Sequence, residues 1–144
     1  MTRRAFAAIC TFLLAVSAHA TVLQITVDDM IHPISDEYIG RAIADAARSK
    51  DAALVIIMST PGGLLDSTRS IVEKMMTAPI PVIVYVAPAG ARAASAGFFI
   101  LEASDIAAMA PGTNTGAAHP VLMGEKMDDV MKTKLENDAA AFMR

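Results

Sequence analysis

Cysteine is almost missing from this sequence: among 144 residues the only one is Cys10, inside an apolar stretch near the N-terminus. Beyond residue 20 there is no thiol nucleophile, no disulfide and no cysteine-based metal site. That pattern suits an oxidising compartment without requiring one. A basic excess is missing too. Twelve Lys and Arg stand against fifteen Asp and Glu, for a net charge of −3, so nothing suggests a nucleic-acid surface. After residue 20 no apolar run is long enough to span a membrane: residues 54–58 are too few, and residues 80–87 contain a proline. Internal repeats, low-complexity tracts and charge blocks are absent as well.

What is present begins with an export signal. Arg3 and Arg4 precede an apolar run over residues 5–16, and Ala18-His19-Ala20 forms an A-x-A cleavage site. Residues 1–20 therefore read as a secretory signal peptide, with the mature chain expected to start at Thr21. The remainder, 21–144, is the size of one domain with a core of its own. It ends at Arg144 inside a helical pattern without a Gly, Asn or Pro stop signal, so a C-terminally truncated domain of a longer protein is expected.

Periodicity orders the elements. Leu23, Ile25 and Val27 alternate with Gln24, Thr26 and Asp28, the pattern of a half-buried strand over 21–28. A loop is expected over 30–35 and a helix over 36–49, with Ile39, Ala42, Ile43, Ala46 and Ala47 at helical spacing. Residues 52–58 are apolar without alternation, as in a strand buried on both faces. A helix over 64–77 carries Leu64, Thr68, Ile71 and Met75 on one face and ends before Pro79 and Pro81. A strand over 82–86, a loop over 88–94, a short helix over 95–102, a strand over 106–110 and a helix over 125–144 complete the chain. Strands alternating with helices imply βα units and a mostly parallel sheet.

Two turns carry the chemistry. Ser59-Thr60-Pro61-Gly62-Gly63 follows a buried strand and can expose adjacent backbone N–H groups, because glycine bends where a side chain would clash. It lacks the Gly-Lys-Ser/Thr ending of a phosphate-binding loop and the spacing of a dinucleotide turn. Ala93-Ala94-Ser95-Ala96-Gly97 sets one hydroxyl among residues too small to cover it, at the start of a helix. Serine before a helix is also a common N-cap. An exposed hydroxyl beside free backbone donors is what a serine nucleophile and its oxyanion hole require.

These two turns, with Ala110-Pro111-Gly112-Thr113-Asn114-Thr115-Gly116-Ala117, resemble the Clp-protease and crotonase superfamily, and within it the NfeD-type membrane-bound serine proteases. The resemblance covers essentially the whole chain after residue 20. It implies an α/β fold of the crotonase-like ββα spiral type and peptide-bond hydrolysis. Ser95 would be the nucleophile, with the oxyanion hole formed at Gly62 and Gly63 and by the Ala96 N–H. It further implies attack on hydrophobic segments of membrane proteins, a stomatin- or prohibitin-like substrate and a homodimer or larger assembly. Together with the signal peptide it implies a place in the periplasm or at the periplasmic face of the inner membrane. Full-length relatives commonly carry transmembrane helices and a small β-barrel domain downstream.

The base is open at this stage. The resemblance implies a serine–lysine dyad, and a lysine serves as base only when desolvation lowers its pKa. Lys126, Lys132 and Lys134 follow the serine. Met127, Val130, Met131, Leu135, Ala141 and Phe142, interrupted by Asp138, define an apolar stripe with Lys134 on its border, which favours Lys134. In some members of the family the dyad lysine falls at the position of Arg144, and arginine stays protonated. The base would then be Lys134 or lie past the end of this chain, or the domain would be inactive. His119, about where a Clp-type protease has its triad histidine, is the alternative base, with Asp128, Asp129 or Asp138 to orient it.

Two other readings compete. One is a degenerate protease domain that binds membrane-protein partners without cutting them. The other is a crotonase-type acyl-CoA enzyme, disfavoured by export and by the short chain. No cofactor and no metal site is expected: Asp28, Asp29, Asp36 and Glu37 cluster in sequence without a ligand geometry. His32 reads as a loop residue.

Overall fold

The structure, a computed structural model, describes residues 20–118 and 128–142. The signal peptide read over residues 1–20 therefore lies almost wholly outside the described residues. The chain forms β1 (Val22–Val27), α1 (Pro33–Ser49), β2 (Ala53–Met58), α2 (Leu65–Met76), β3 (Val82–Val86), β4 (Arg92–Ala94), α3 (Ala96–Glu102), β5 (Ile106–Met109), β6 (Asn114–Gly116) and α4 (Asp129–Phe142). Four strands make a parallel sheet in the order β1-β2-β3-β5, and β4 pairs with β6 in a second, smaller parallel sheet. This is the mixed α/β, mostly parallel architecture expected from the order of elements.

The sheet is apolar on both sides but buried fully on one. Parallel register aligns Ile25 with Ile56 and Val84, and Val27 with Met58 and Val86. These residues pack with Ile39, Ile43 and Ala46 of α1 and Ile71 and Met75 of α2 in one cluster. On the other face Val55, Ile57, Ile83 and Tyr85 are only half-buried. The expectation that β2 is buried on both faces is thus corrected: a run without alternation reports apolarity on each face and says nothing of what covers it.

Helix α1 starts three residues earlier than its apolar pattern indicates, inside the expected loop. Pro33 occupies the first turn, where the missing N–H is no loss. His32 is its N-cap rather than a loop residue: Nδ1 accepts from the N–H groups of Ile34 (3.2 Å) and Ser35 (3.4 Å), and the His32 N–H donates to Ser35 Oγ at 2.8 Å. Leu64 is not on the buried face of α2. It sits just before the helix, exposed. Residues 88–94 hold β4, and β6 follows the turn at Pro111-Gly112. Neither strand was expected. Each is three residues long and made of small or polar residues, so neither has an apolar period to read.

Helix α4 seats itself through a small residue. Ala139 is buried against Val72 of α2 and Phe99 of α3, and Asp138 forms an ion pair with Arg69 of α2. Val130 and Met131, read as part of an apolar stripe, are exposed. No described helix is long and apolar enough to cross a membrane.

Candidate active site

The two glycine-containing turns meet in space. Gly62 has φ +113°, and a Cβ built on it would stand 2.6 Å from Ser95 Cβ and 3.1 Å from Ser95 Oγ. Only glycine adopts this angle and allows this approach. Gly63 is pressed against the segment after β1. Ile31 N–H donates to Gly62 O at 2.9 Å and Leu64 N–H donates to Ile31 O at 2.8 Å, which makes an isolated parallel bridge between Ile31 and Gly63. A Cβ on Gly63 would be driven into the Ile31 backbone. In such a bridge the central residue's own N–H points the other way, and the Gly63 N–H has no acceptor among the described residues.

Ser95 stands at a sharp junction between β4 and α3. Its φ is 53° and ψ −112°, a conformation that costs a non-glycine residue about 1–3 kcal/mol and persists only where its surroundings impose it. The imposing contacts are visible. Ser95 N–H donates to Gly116 O at 2.7 Å, and Phe98 N–H donates to Ser95 O at 3.0 Å. Ser95 occupies the N-cap position of α3, yet its side chain makes no capping hydrogen bond. The hydroxyl is thus not committed to the helix, unlike an ordinary N-cap serine. A strained serine between strand and helix, followed by a free N–H, is the arrangement of a nucleophile elbow. The Ala96 N–H has no acceptor among the described residues.

Strand β4 is held from both sides. β6 pairs along one edge, where Thr115 Oγ1 also donates to Ala93 O at 2.8 Å. On the other edge Thr60 makes an isolated bridge to Ala93: Thr60 N–H donates to Arg92 O at 2.7 Å and Ala94 N–H donates to Thr60 O at 3.1 Å. Thr60, Ile31 and Gly116 thus shape the site, and sequence reasoning assigned none of them a role. For Thr60 and Gly116 a signal existed, since both lie inside motifs that stand out in the sequence. Ile31 had none beyond being apolar.

The candidate bases are less closely tied to this centre. Lys134 is exposed on α4, one turn before the ion-paired Asp138, and among the described residues it forms no ion pair and no hydrogen bond with Ser95. Lys132 is exposed as well. His119, Lys126 and Arg144 lie outside the described residues. Of the carboxylates proposed to orient a histidine, Asp138 is engaged with Arg69, and Asp128 Oδ1 accepts from Met131 N–H at 2.7 Å. Of the acidic residues that cluster near the start of α1 in sequence, Asp29, Asp36 and Glu37 are separately engaged. Lys74 Nζ donates to Asp36 at 2.6 Å, Arg41 pairs with Glu37, and Met30 N–H donates to Asp29 at 2.6 Å.

Comparison with known proteins places this geometry. Residues 21–141 match the family described as NfeD1b, N-terminal domain. Membrane-bound protease PH1510 of Pyrococcus horikoshii is 39% identical over 106 residues, which are 72% of this chain and 24% of that protein. The chain therefore spans about a quarter of the length of this relative. Among solved structures, a mutant of the 1510-N membrane-bound stomatin-specific protease in which a serine is replaced by alanine superimposes with a TM-score of 0.78. It is 34% identical, over 85% of this chain and 60% of that one. A lysine-to-alanine mutant of the same protease, in complex with a substrate peptide, gives 0.76 at 30% identity, over 88% of this chain and 65% of that one.

Proposed function

The chain belongs to the NfeD1b N-terminal domain family, and on that premise we propose that it is the peptidase domain of a membrane-associated serine endopeptidase. Ser95 attacks the scissile carbonyl, and the N–H groups of Gly63 and Ala96 receive the negative charge that develops on its oxygen. The observation that carries this reading is the approach of Gly62 to Ser95, which sets a strained, uncapped serine beside backbone donors that have no acceptor among the described residues. Donors fixed before the reaction need no reorganisation as charge appears, and each contributes a factor of about 10²–10³ to the rate.

A general base completes the mechanism. Lys134 takes the Ser95 proton and returns it to the leaving amine. An exposed lysine is a poor base, because water favours its protonated form. In this proposal Lys134 works when a bound ligand, whether peptide or active-site reagent, or a second copy of the chain removes it from water. The naming of related proteases as stomatin-specific supports a stomatin-like membrane protein as substrate. Met30 and Leu64, exposed on either side of the Ile31–Gly63 bridge, suit an apolar peptide segment. The signal peptide supports export, with the domain in the periplasm or at the periplasmic face of the inner membrane, and a homodimer or larger assembly is expected.

The test is cleavage of a hydrophobic stomatin-type peptide by the full-length protein and by Ser95→Ala, Lys134→Ala and His119→Ala. The expected outcome is turnover by wild type and loss of about 10³-fold or more in Ser95→Ala and Lys134→Ala. Loss in His119→Ala, with Lys134→Ala active, makes the mechanism Clp-like. If wild type binds the peptide without cutting it, the domain is a degenerate protease that acts as a binding module.

A further inference from the structure

We propose that Thr60 is the positioning residue that holds the oxyanion turn and the nucleophile in register. This inference rests on the serine-peptidase reading and extends it to a residue outside the reacting groups. Thr60 is buried to 1% exposure in the middle of the site. A threonine needs a reason to be there, since a buried hydroxyl without partners costs free energy. It has one for each of its polar groups. Its N–H and carbonyl bracket Ala93 of β4, two residues before Ser95. Its hydroxyl takes the Gly62 N–H at 3.1 Å and lies 3.3 Å from Gly62 O, to which it donates.

The methyl group has a separate task. A Cβ placed on Gly97 would fall 2.6 Å from Thr60 Cγ2, so the methyl fills the space left by Gly97 in the first turn of α3. One side chain therefore touches the turn bearing the Gly63 donor, while its backbone fixes the strand that delivers Ser95. Its methyl meets the helix that begins with Ala96. The hydroxyl bond orients the Gly62 peptide, and through it the direction of the next N–H, that of Gly63. Misplacement of a catalytic group by about 1 Å can cost about 10²-fold. Valine has the shape of threonine and keeps the methyl contact but cannot bond Gly62. Serine keeps the bond and loses the methyl.

The experiment compares wild type, Thr60→Val, Thr60→Ser and Ser95→Ala in the full-length protein, using an alkyl fluorophosphonate. The Ser95 oxygen displaces fluoride at phosphorus and gives up its proton to the base, so no particular peptide is needed. The second-order labelling rate is read by mass spectrometry, and amide hydrogen exchange at Gly62 is followed in parallel. Expected are labelling of wild type at Ser95, a fall of about 10- to 100-fold in Thr60→Val, and a rate within about 3-fold of wild type in Thr60→Ser. Exchange at Gly62 rises in Thr60→Val, while exchange in β2 stays at the wild-type level, which general loosening of the fold would not give. Labelling of Thr60→Val at the wild-type rate overturns the proposal, as does an equal loss in Thr60→Ser, which would assign the effect to packing. If wild type is not labelled at Ser95, the serine-peptidase reading itself fails and the positioning role falls with it.

Discussion

The serine centre and the helix carrying the candidate lysine are built in opposite ways. Around Ser95 four segments are tied together by backbone hydrogen bonds: residue 31, residues 60–63, residues 92–97 and residue 116. Among the described residues, helix α4 leans on α2 and α3 through contacts that include Ala139 and an ion pair between Asp138 and an Arg69 side chain that is 38% exposed. The first is over-determined and sustains backbone strain at Ser95. The second is held by contacts that are individually weak. The chemistry proposed here needs both. The comparison teaches that the proposed nucleophile and oxyanion hole are set by this fold, whereas the proposed base depends on what is laid against it.

The contrast can be broken most severely at Gly63. Gly63→Ala drives a methyl into the Ile31 backbone, and the bridge must open. We expect a loss of about 2–3 kcal/mol in urea unfolding and at least about 100-fold in peptide turnover. Wild-type stability would show that the bridge yields freely. Ser95→Gly acts in the other direction. It removes the hydroxyl and also the Cβ that makes φ 53° costly. It should therefore be more stable than Ser95→Ala by about 1 kcal/mol in thermal unfolding, since alanine keeps the strain. Equal stability of the two would mean that the strained angle relaxes in alanine.

Smaller effects sharpen the picture. His32→Ala removes the acceptor for two N–H groups at the start of α1, next to Ile31. It should cost about 1 kcal/mol in urea unfolding, and no change would mean that water replaces the cap. Asp138→Ala breaks the α4–α2 ion pair. We expect no more than about 0.5 kcal/mol, because Asp138 is exposed and Arg69 only half-buried. Amide exchange should rise in α4 and stay unchanged in β2 and β3. Faster exchange in the sheet would show that α4 supports the centre after all.

What could be read in the sequence was what local pattern encodes. The order of strands and helices followed from periodicity, and Ser95 and the Pro61-Gly62-Gly63 turn followed from motifs that place small residues at strand-to-helix junctions. What could not be read was non-local or atypical. The strands β4 and β6 exist because Thr60, residues 92–94 and residues 114–116 find one another, and no one of these segments has a strand period of its own. Histidine is an unusual N-cap, so α1 seemed to begin after its true start. Val130 and Met131 belong to the apolar stripe of the helix, but the docking contact includes Ala139, whose small side chain carries little hydropathic signal. Residues 52–58 are apolar on both faces, which concealed that the sheet is fully covered on only one.

The pairing of Thr60 with Ala93 and of β4 with β6 has a consequence for the life of the chain before it folds. Contacts between residues far apart in sequence form late, because the loops between them must close first. The segments that compose the serine centre run from Ile31 to Gly116. A nascent or unfolded chain therefore has a serine like any other, without strain, oxyanion donors or elbow. The geometry around Ser95 is therefore a property of the folded chain and of no shorter segment of it.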